Sequence, residues 1–317
     1  MFDAHCHPTD TPDTLDLIPS MKTDLLACMS TNFQDIERVE SIADWPKVVP
    51  CFGYHPWFTW KVYTEEGLEA KEHYSRVLAG PRGSEEELQG FVASQEQPMP
   101  FSNYLDLMRQ GLEKYPNGMI GEAGLDKPFR VKDKEGDKLT PFRVSLDHQR
   151  TILGLQLQLA VDYGRPISLH GVQCHGALLE CVTEILKKNP GKPLTVCLHS
   201  YSGPPDFLVG WFKLEGSKKK PTKVRVFVSV SSVITCGHID REGDRFDQKL
   251  EKISPLLAKI PDDRLLIESD YYKAGPVMDD LMQEVLDLVA HAKGVSKAGA
   301  LEMLDKNSRE FLDYRRE

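Results

Sequence analysis

His5 and His7 stand one residue apart in the opening segment MFDAHCHPTD. In an extended chain, alternation sends both imidazoles to one side and Cys6 to the other, so that two ring nitrogens can share one cation. Further along, His55, Glu122, Asp126, His170, His199 and Asp270 each stand at or just after the end of a short apolar run. Imidazoles and carboxylates without a cysteine cluster are the donors of Zn, Mn, Fe or Mg sites that keep a position open for water, rather than of a structural thiolate site. A single histidine at such a place reads as a hydrogen-bonded rim residue. Gathering His5, His7, His170 and His199 with two carboxylates is different, because burying so many polar groups without partners is costly.

The residues that must position this set fall into eight apolar runs that read as strands, at 2–5, 25–29, 48–52, 119–122, 167–170, 194–199, 224–230 and 265–268. Helical patterns lie at 32–44, 145–163, 177–188, 277–292 and 301–314, with a weaker one at 246–259 that Pro255 should break or kink. The stretch ILGLQLQLAV alternates its leucines as a strand would. Its length, its Leu and Gln content and the YGRP that follows favour a helix. Strands alternating with helices predict an α/β fold, a (β/α)8 TIM barrel with surface insertions, as one domain over residues 1–317. All the candidates then collect at the C-terminal mouth, where barrel active sites are built. A carboxylate at the end of strand four, Glu122, can bridge two ions there and divide the rest into His5, His7 and Asp270 on one side and His170 and His199 on the other. Paired ions about 4 Å apart generate hydroxide at neutral pH and stabilise attacking and leaving oxygens.

Segments 79–102, 130–142 and 215–223 read as insertions from their Gly, Pro and charge content, with room for one short helix in the first. Lys218, Lys219 and Lys220 read as a solvated turn. The net charge of -9 over 317 residues disfavours an extended phosphate-binding surface and leaves room only for a local basic pocket. Seven scattered cysteines with no C-x-x-C pair suit reduced thiols in the cytoplasm or nucleus and no disulfide framework. Asp3, Asp10, Asp13 and Asp16 interrupt any signal-peptide pattern, and no apolar run is long enough to span a bilayer, so a soluble protein with no membrane partner is expected.

In order along the chain, FDAHCH, GYHPW, GEAGLD, PISLHG, LHSYSG and LLIESD resemble the successive motifs of the TatD-like hydrolases, metal-dependent members of the amidohydrolase superfamily that include deoxyribonucleases. The resemblance runs over residues 2–270 and spares the insertions. It implies that His5, His7, Glu122, His170, His199 and Asp270 hold two divalent metal ions (Mg, Mn or Zn). It also implies catalysis by Asp270 and Glu122, with Asp270 orienting or deprotonating the attacking water, and DNA as substrate. His55 resembles a residue that backs the ligands or faces substrate. Asp126 resembles a carboxylate that fixes a ligand imidazole, with a loop-capping role as the alternative.

Two segments depart from the family pattern. HGVQCHGA lacks the Arg that commonly follows strand five, which leaves its space to His175 or Gln173; SDYYKAG replaces Asp-x-Pro and puts Tyr271, Tyr272 and Lys273 near the mouth. His175 and Lys273 are therefore expected substrate contacts, although His175 also reads as an exposed histidine at a helix start. A thiol nucleophile at Cys174 beside His175 is disfavoured, because adjacent residues seldom face each other and no third group orients them. Two other functions stay open: an ester or amide hydrolase acting on a small substrate, and a protein-interaction member with weakened catalysis whose insertions hold a protein partner.

Overall fold

The computed structural model describes residues 1–65, 67–80, 84–133, 138–217, 219–237 and 245–313. The apolar runs become eight inner strands: β1 (Phe2–Cys6), β2 (Leu25–Met29), β3 (Val48–Cys51), β4 (Ile120–Asp126), β5 (Ile167–Val172), β6 (Leu194–Leu198), β7 (Val224–Val230) and β8 (Leu265–Ile267). They are buried nearly throughout, as expected of parallel strands covered on both faces. β1, β2 and β3 pair in parallel, as do β4 to β8 in sequence order. Two seams close the ring. At one, the Phe52 N–H donates to Met119 O at 2.9 Å and the Met119 N–H to Pro50 O at 3.0 Å. At the other, just past β8 and β1, the Asp270 N–H donates to His5 O at 3.0 Å and the His7 N–H to Tyr271 O at 2.9 Å. The result is the (β/α)8 barrel.

β4 continues to Asp126, beyond the end expected at residue 122, because Gly124, Leu125 and Asp126 ladder with His170, Gly171 and Val172 of β5. Gly124 makes that approach feasible: a Cβ there would lie 2.1 Å from His170 O. β8 ends at Ile267, one residue short of Glu268.

The helices α1 (Phe33–Ile42), α5 (Leu146–Tyr163), α6 (His175–Lys188), α8 (Arg245–Leu257), α9 (Pro276–Lys293) and α10 (Lys297–Leu312) lie where the pattern puts them. The segment ILGLQLQLAV belongs to α5, which Gly164 ends in the left-handed conformation (φ 58°). α8 carries Pro255 in its last turn and stops two residues later. Phe311 of α10 packs fully buried on Phe2 and Phe227, centroids 6.4 and 5.2 Å away, and so covers the barrel interior near the start of β1.

Four further helices carry no clear sequence signal or only a weak one: α2 (Ala70–Val77), α3 (Glu85–Ala93), α4 (Phe101–Lys114) and the short α7 (Leu208–Phe212). α3 is the short helix expected in the first insertion, opened by a Ser84–Glu87 capping box. α4 escapes the pattern because Gly111 interrupts it. A Cβ there would meet the Phe52 ring at 2.7–2.9 Å, so packing sets that residue and propensity does not.

The first two insertions are more than loops. Phe91 and Val92 of the first and Val131 of the second join Trp60, Tyr74, Val77, Leu78, Phe129 and Val144 of the flanking segments in one hydrophobic cluster. Two short strand pairs tie it, Val62–Tyr63 with Met99–Pro100 and Leu78–Ala79 with Arg143–Val144. The third insertion is a two-residue hairpin, Gly216–Ser217 with Lys220–Pro221; Lys219 and Lys220 are exposed and Lys218 lies outside the described residues.

Candidate metal centre

Two buried glutamines of α5 set the strand ends that carry the site. Gln156 accepts from the Tyr54 N–H at 2.7 Å and donates to Tyr54 O at 3.1 Å, fixing the chain just before His55. Gln149 accepts from the Asp126 N–H at 2.7 Å and donates to Asp126 O at 3.1 Å. Each side chain replaces backbone partners that the ends of β3 and β4 would otherwise lack. On the other side, Ser200 and Asp270 adopt left-handed backbone conformations (φ 38° and 48°) directly after His199 and Ser269. Such strained turns are expected where a chain must aim a side chain.

Glu122 is the hub. Its Oε1 lies 2.8 Å from His170 Nδ1, 2.8 Å from His199 Nε2 and 3.2 Å from His55 Nε2. Its Oε2 lies 3.2 Å from His7 Nε2 and 3.4 Å from His5 Nε2. Asp270 Oδ1 stands 3.7 Å from His7 Nε2 and 3.9 Å from His5 Nε2. Three overlapping triads bring their donor atoms within 4.8 Å: His5–His199–Asp270, His5–His7–Glu122 and His55–Glu122–His170. His199 therefore faces both halves rather than one, its ring stacked on that of His5 at 3.8 Å.

The outer nitrogens decide which inner ones are free. The His170 Nε2–H donates to Asp126 Oδ2 at 3.1 Å, which leaves Nδ1 as a lone-pair donor toward the centre. His199 has Glu268 Oε1 3.5 Å from its Nδ1, and His5 has Ser168 Oγ 2.8 Å from its Nδ1. His55 is the reverse. Its Nδ1 accepts from the Trp57 N–H at 3.2 Å, so in the neutral ring the proton sits on Nε2 and points at Glu122. His55 is thus a proton-bearing donor beside the centre.

Burial pushes the Glu122 carboxyl up, but the imidazoles of His55, His199 and His5 outweigh it and hold the group well below the usual carboxylate range. Burial lowers His5, and lowers His55 to about 4, so both rings are neutral. Burial also works against charge on His7, yet the bond to Glu122 and the charges of Glu122 and Asp270 raise it to about 9. His199 and His170 are raised in the same way, against burial, by Glu122 together with Glu268 and Asp126 respectively. The donor set fits a cation on geometry alone. His5 Nε2 and His7 Nε2 lie 3.1 Å apart, and His170 Nδ1 and His199 Nε2 3.3 Å apart, so each pair presents two nitrogens to one point beside a Glu122 oxygen.

A cavity of about 520 Å³ opens over this centre, lined by His7, Asp10, Asn32, His55, Trp57, Phe58, Ser202, Ile234 and Asp270 among others. The structure thus brings together His5, His7, His55, Glu122, His170, His199 and Asp270. It does not bring His175 or Lys273 to the cavity lining. His175 packs half-buried on Tyr201 and Phe207, centroids 5.2 and 6.5 Å away, and Lys273 is exposed. Asp126 serves both of its expected roles: Oδ2 takes the His170 ring and Oδ1 accepts from the Phe129 N–H at 2.8 Å. Cys174 Sγ donates to Leu125 O at 3.1 Å and burial pushes its thiol up to about 12, which leaves little thiolate. All seven cysteines are free and buried.

Glu268 is a site residue the sequence reading passed over. It is fully buried, accepts from Ser200 Oγ at 2.5 Å and from Ser229 Oγ, and backs His199. The available signal was a carboxylate in an apolar strand, two residues before Asp270 in ESD.

Residues 2–313 match the model of a family described as TatD related DNase. The chain is 30% identical to the Cut9-interacting protein scn1 of Schizosaccharomyces pombe, over 98% of both chains. It is 32% identical to an uncharacterized deoxyribonuclease of Saccharomyces cerevisiae, over 86% of this chain and 83% of that one. Among solved structures it resembles the TatD homologue YJJV of Escherichia coli K12, with a TM-score of 0.61 and 18% identity over 99% of this chain and 98% of that one, a likeness of fold.

Proposed function

The chain belongs to the TatD related DNase family, and on that premise we propose that it is a divalent-metal-dependent phosphodiesterase acting on DNA, built as one barrel domain elaborated by its insertions. Glu122 carries this reading, because its two oxygens divide five imidazoles between two adjoining sets. His5, His7, Asp270 and Glu122 Oε2 would hold one ion, and His170, His199 and Glu122 Oε1 the other, with Mg, Mn and Zn as candidates. A bound divalent ion supplies Lewis acidity at such a place, activating water and drawing charge from a phosphate.

Asp270 takes the general-base role. It borders the cavity, and its carboxylate lies close enough to His5 and His7 to receive a proton from water oriented between them. His55 keeps a neutral ring whose single proton, on Nε2, faces Glu122 and orients it from the cavity wall. The altered segments after His170 and Asp270 supply no cavity-lining cation, which concentrates phosphate recognition on the metal centre.

Chelation followed by add-back of Mg, Mn or Zn tests this on labelled single- and double-stranded DNA. Metal-restored cleavage by the wild type and loss by at least about two orders of magnitude in Glu122→Ala are expected; equal activity in the two proteins overturns the assignment.

A second reading concerns partners. One relative, 30% identical over 98% of both chains, is named for interacting with Cut9. The clustered insertions give this chain a surface beyond the barrel on which a protein could dock. An isolated protein that binds no metal and is not stabilised by it would favour that role over hydrolysis. Seven buried free thiols suit a reducing compartment, so we place the activity in the cytoplasm or nucleus. No helix among the described residues is long and apolar enough to cross a membrane.

A further inference from the structure

Trp57 lies in the 3-10 turn Pro56–Lys61 that leaves β3, two residues after His55. It is 41% exposed, yet it is held on several sides. The indole Nε1–H donates to Asp126 Oδ2 at 2.7 Å, and the ring stacks on Phe129 with centroids 4.9 Å apart and planes 11° from parallel. His55 meets it at 4.8 Å with planes 84° apart. Phe129 is itself packed against the hydrophobic cluster of the insertions. Asp126 Oδ2 receives both the Trp57 indole and the His170 ring, so Trp57 is registered to the metal centre through a single oxygen.

Trp57 borders the cavity beside Phe58 and Ile234, the latter 48% exposed. No Lys or Arg lines that cavity among the described residues. Beside its polar groups, the described wall offers a ligand the aromatic and apolar surface of Trp57, Phe58, Val172 and Ile234. A large, preorganised aromatic surface left partly open beside a phosphodiester-cleaving centre matches a base face, since every base stacks on an aromatic ring whatever its hydrogen-bonding edge.

We propose that Trp57 is a stacking platform for an unpaired nucleobase of the substrate strand, placed by Asp126 and Phe129 at the edge of the metal centre. The proposal rests on the phosphodiesterase reading and adds the means by which the substrate is gripped. A base can reach the ring only after leaving its stack, so recognition is of base face plus backbone and is tolerant of sequence.

The test compares a thymidylate oligonucleotide with an abasic oligomer of equal length and charge, using Mn-loaded wild type, Trp57→Phe and Trp57→Ala. Wild type should prefer the base-bearing oligomer in kcat/KM by about five- to a hundred-fold, the range that one base–aromatic stack supplies. Trp57→Ala should lose that preference through a higher KM, and Trp57→Phe should keep most of it. Equal use of the two oligomers by wild type, or an undiminished preference in Trp57→Ala, overturns the proposal. Thermal unfolding checks that each variant is folded; should Trp57→Ala fail, Trp57→His, a smaller and more polar ring, takes its place.

Binding is read separately in Ca-loaded protein, in which the cation supplies the charge that holds the backbone, as quenching of tryptophan fluorescence by the same oligomers. Quenching by the base-bearing oligomer alone, absent in Trp57→Phe, supports the platform even if no DNA is cleaved, in which case the phosphodiesterase reading fails by itself. Equal quenching by both oligomers, or by neither, counts against the platform.

Discussion

Asp126→Asn isolates what a single carboxylate contributes from behind the centre. Three donors converge on Asp126: Trp57 Nε1–H at 2.7 Å and His170 Nε2–H at 3.1 Å on Oδ2, and the Phe129 N–H at 2.8 Å on Oδ1. Asparagine keeps the shape but has one acceptor oxygen and one NH2. If its oxygen replaces Oδ2, the NH2 faces the Phe129 N–H; if flipped, it faces both rings. The first placement wins, because it leaves one donor unpaired instead of two. That unpaired, partly buried amide costs about 1–3 kcal/mol of stability. Both ring bonds also lose their charge assistance, roughly half their strength.

His170 then becomes less basic and less fixed, and metal affinity at the His170–His199 half should fall about 10- to 100-fold, as for other carboxylates that hold a ligand histidine. Calorimetric titration with Mn or Zn, alongside urea unfolding, measures both numbers. A variant that binds metal as the wild type does, with an unchanged unfolding midpoint, refutes the assigned role of Asp126 and the tautomer of His170.

Gln156→Leu should cost about 2–5 kcal/mol in urea unfolding, since it strips partners from both the N–H and the C=O of Tyr54 in the core; a loss under about 0.5 kcal/mol would contradict it. Gly124→Ala should destabilise by about 1–3 kcal/mol or more and weaken metal binding together, because the new Cβ strikes His170 O and forces β4 from β5. Full metal affinity in that variant would refute the link between strand spacing and the centre. His73 and His148, rings 5.7 Å apart, donate to Trp60 O and Thr59 O, and burial holds both below their ordinary value. Their folded values lie below the unfolded one, so the native state binds fewer protons and stability falls as pH drops below about 6.5, by up to about 1.4 kcal/mol per pH unit for each ring. A His73→Gln/His148→Gln variant should lose less stability than wild type between pH 7 and 5.5; identical pH dependence would count against it.

Much of the barrel is legible in the chain because it is written in local terms. Runs such as LLACM and VRVFVSV are short, apolar and bounded, and they form β2 and β7 at the ends expected. Legibility fails where a residue is chosen for a distant neighbour. Gly111 weakens the α4 pattern because Phe52 needs the space, and β4 outruns its apolar signal because Gly124 and Asp126 answer to β5. Insertions that read as loops share a core because Trp60, Val92 and Val131 meet only after the chain has folded.

The residues of the candidate centre divide in the same way. Spacing and strand-end position, with the resemblance they carry, pick out His5, His7, Glu122, His170, His199 and Asp270, and the fold brings those six together. Residue type and strand-end position place them at one mouth, because a barrel gathers all strand ends there, and the resemblance is what separates these six from His55 and Asp126 beside them. Which Glu122 oxygen each imidazole faces, which nitrogen of His55 holds its proton, and the withdrawal of His175 against Tyr201 are decided only by the tertiary structure. These depend on hydrogen bonds between residues far apart in the chain, such as Gln156 with Tyr54 and Trp57 with Asp126, and a directional bond leaves no periodic trace in the sequence on either side of it.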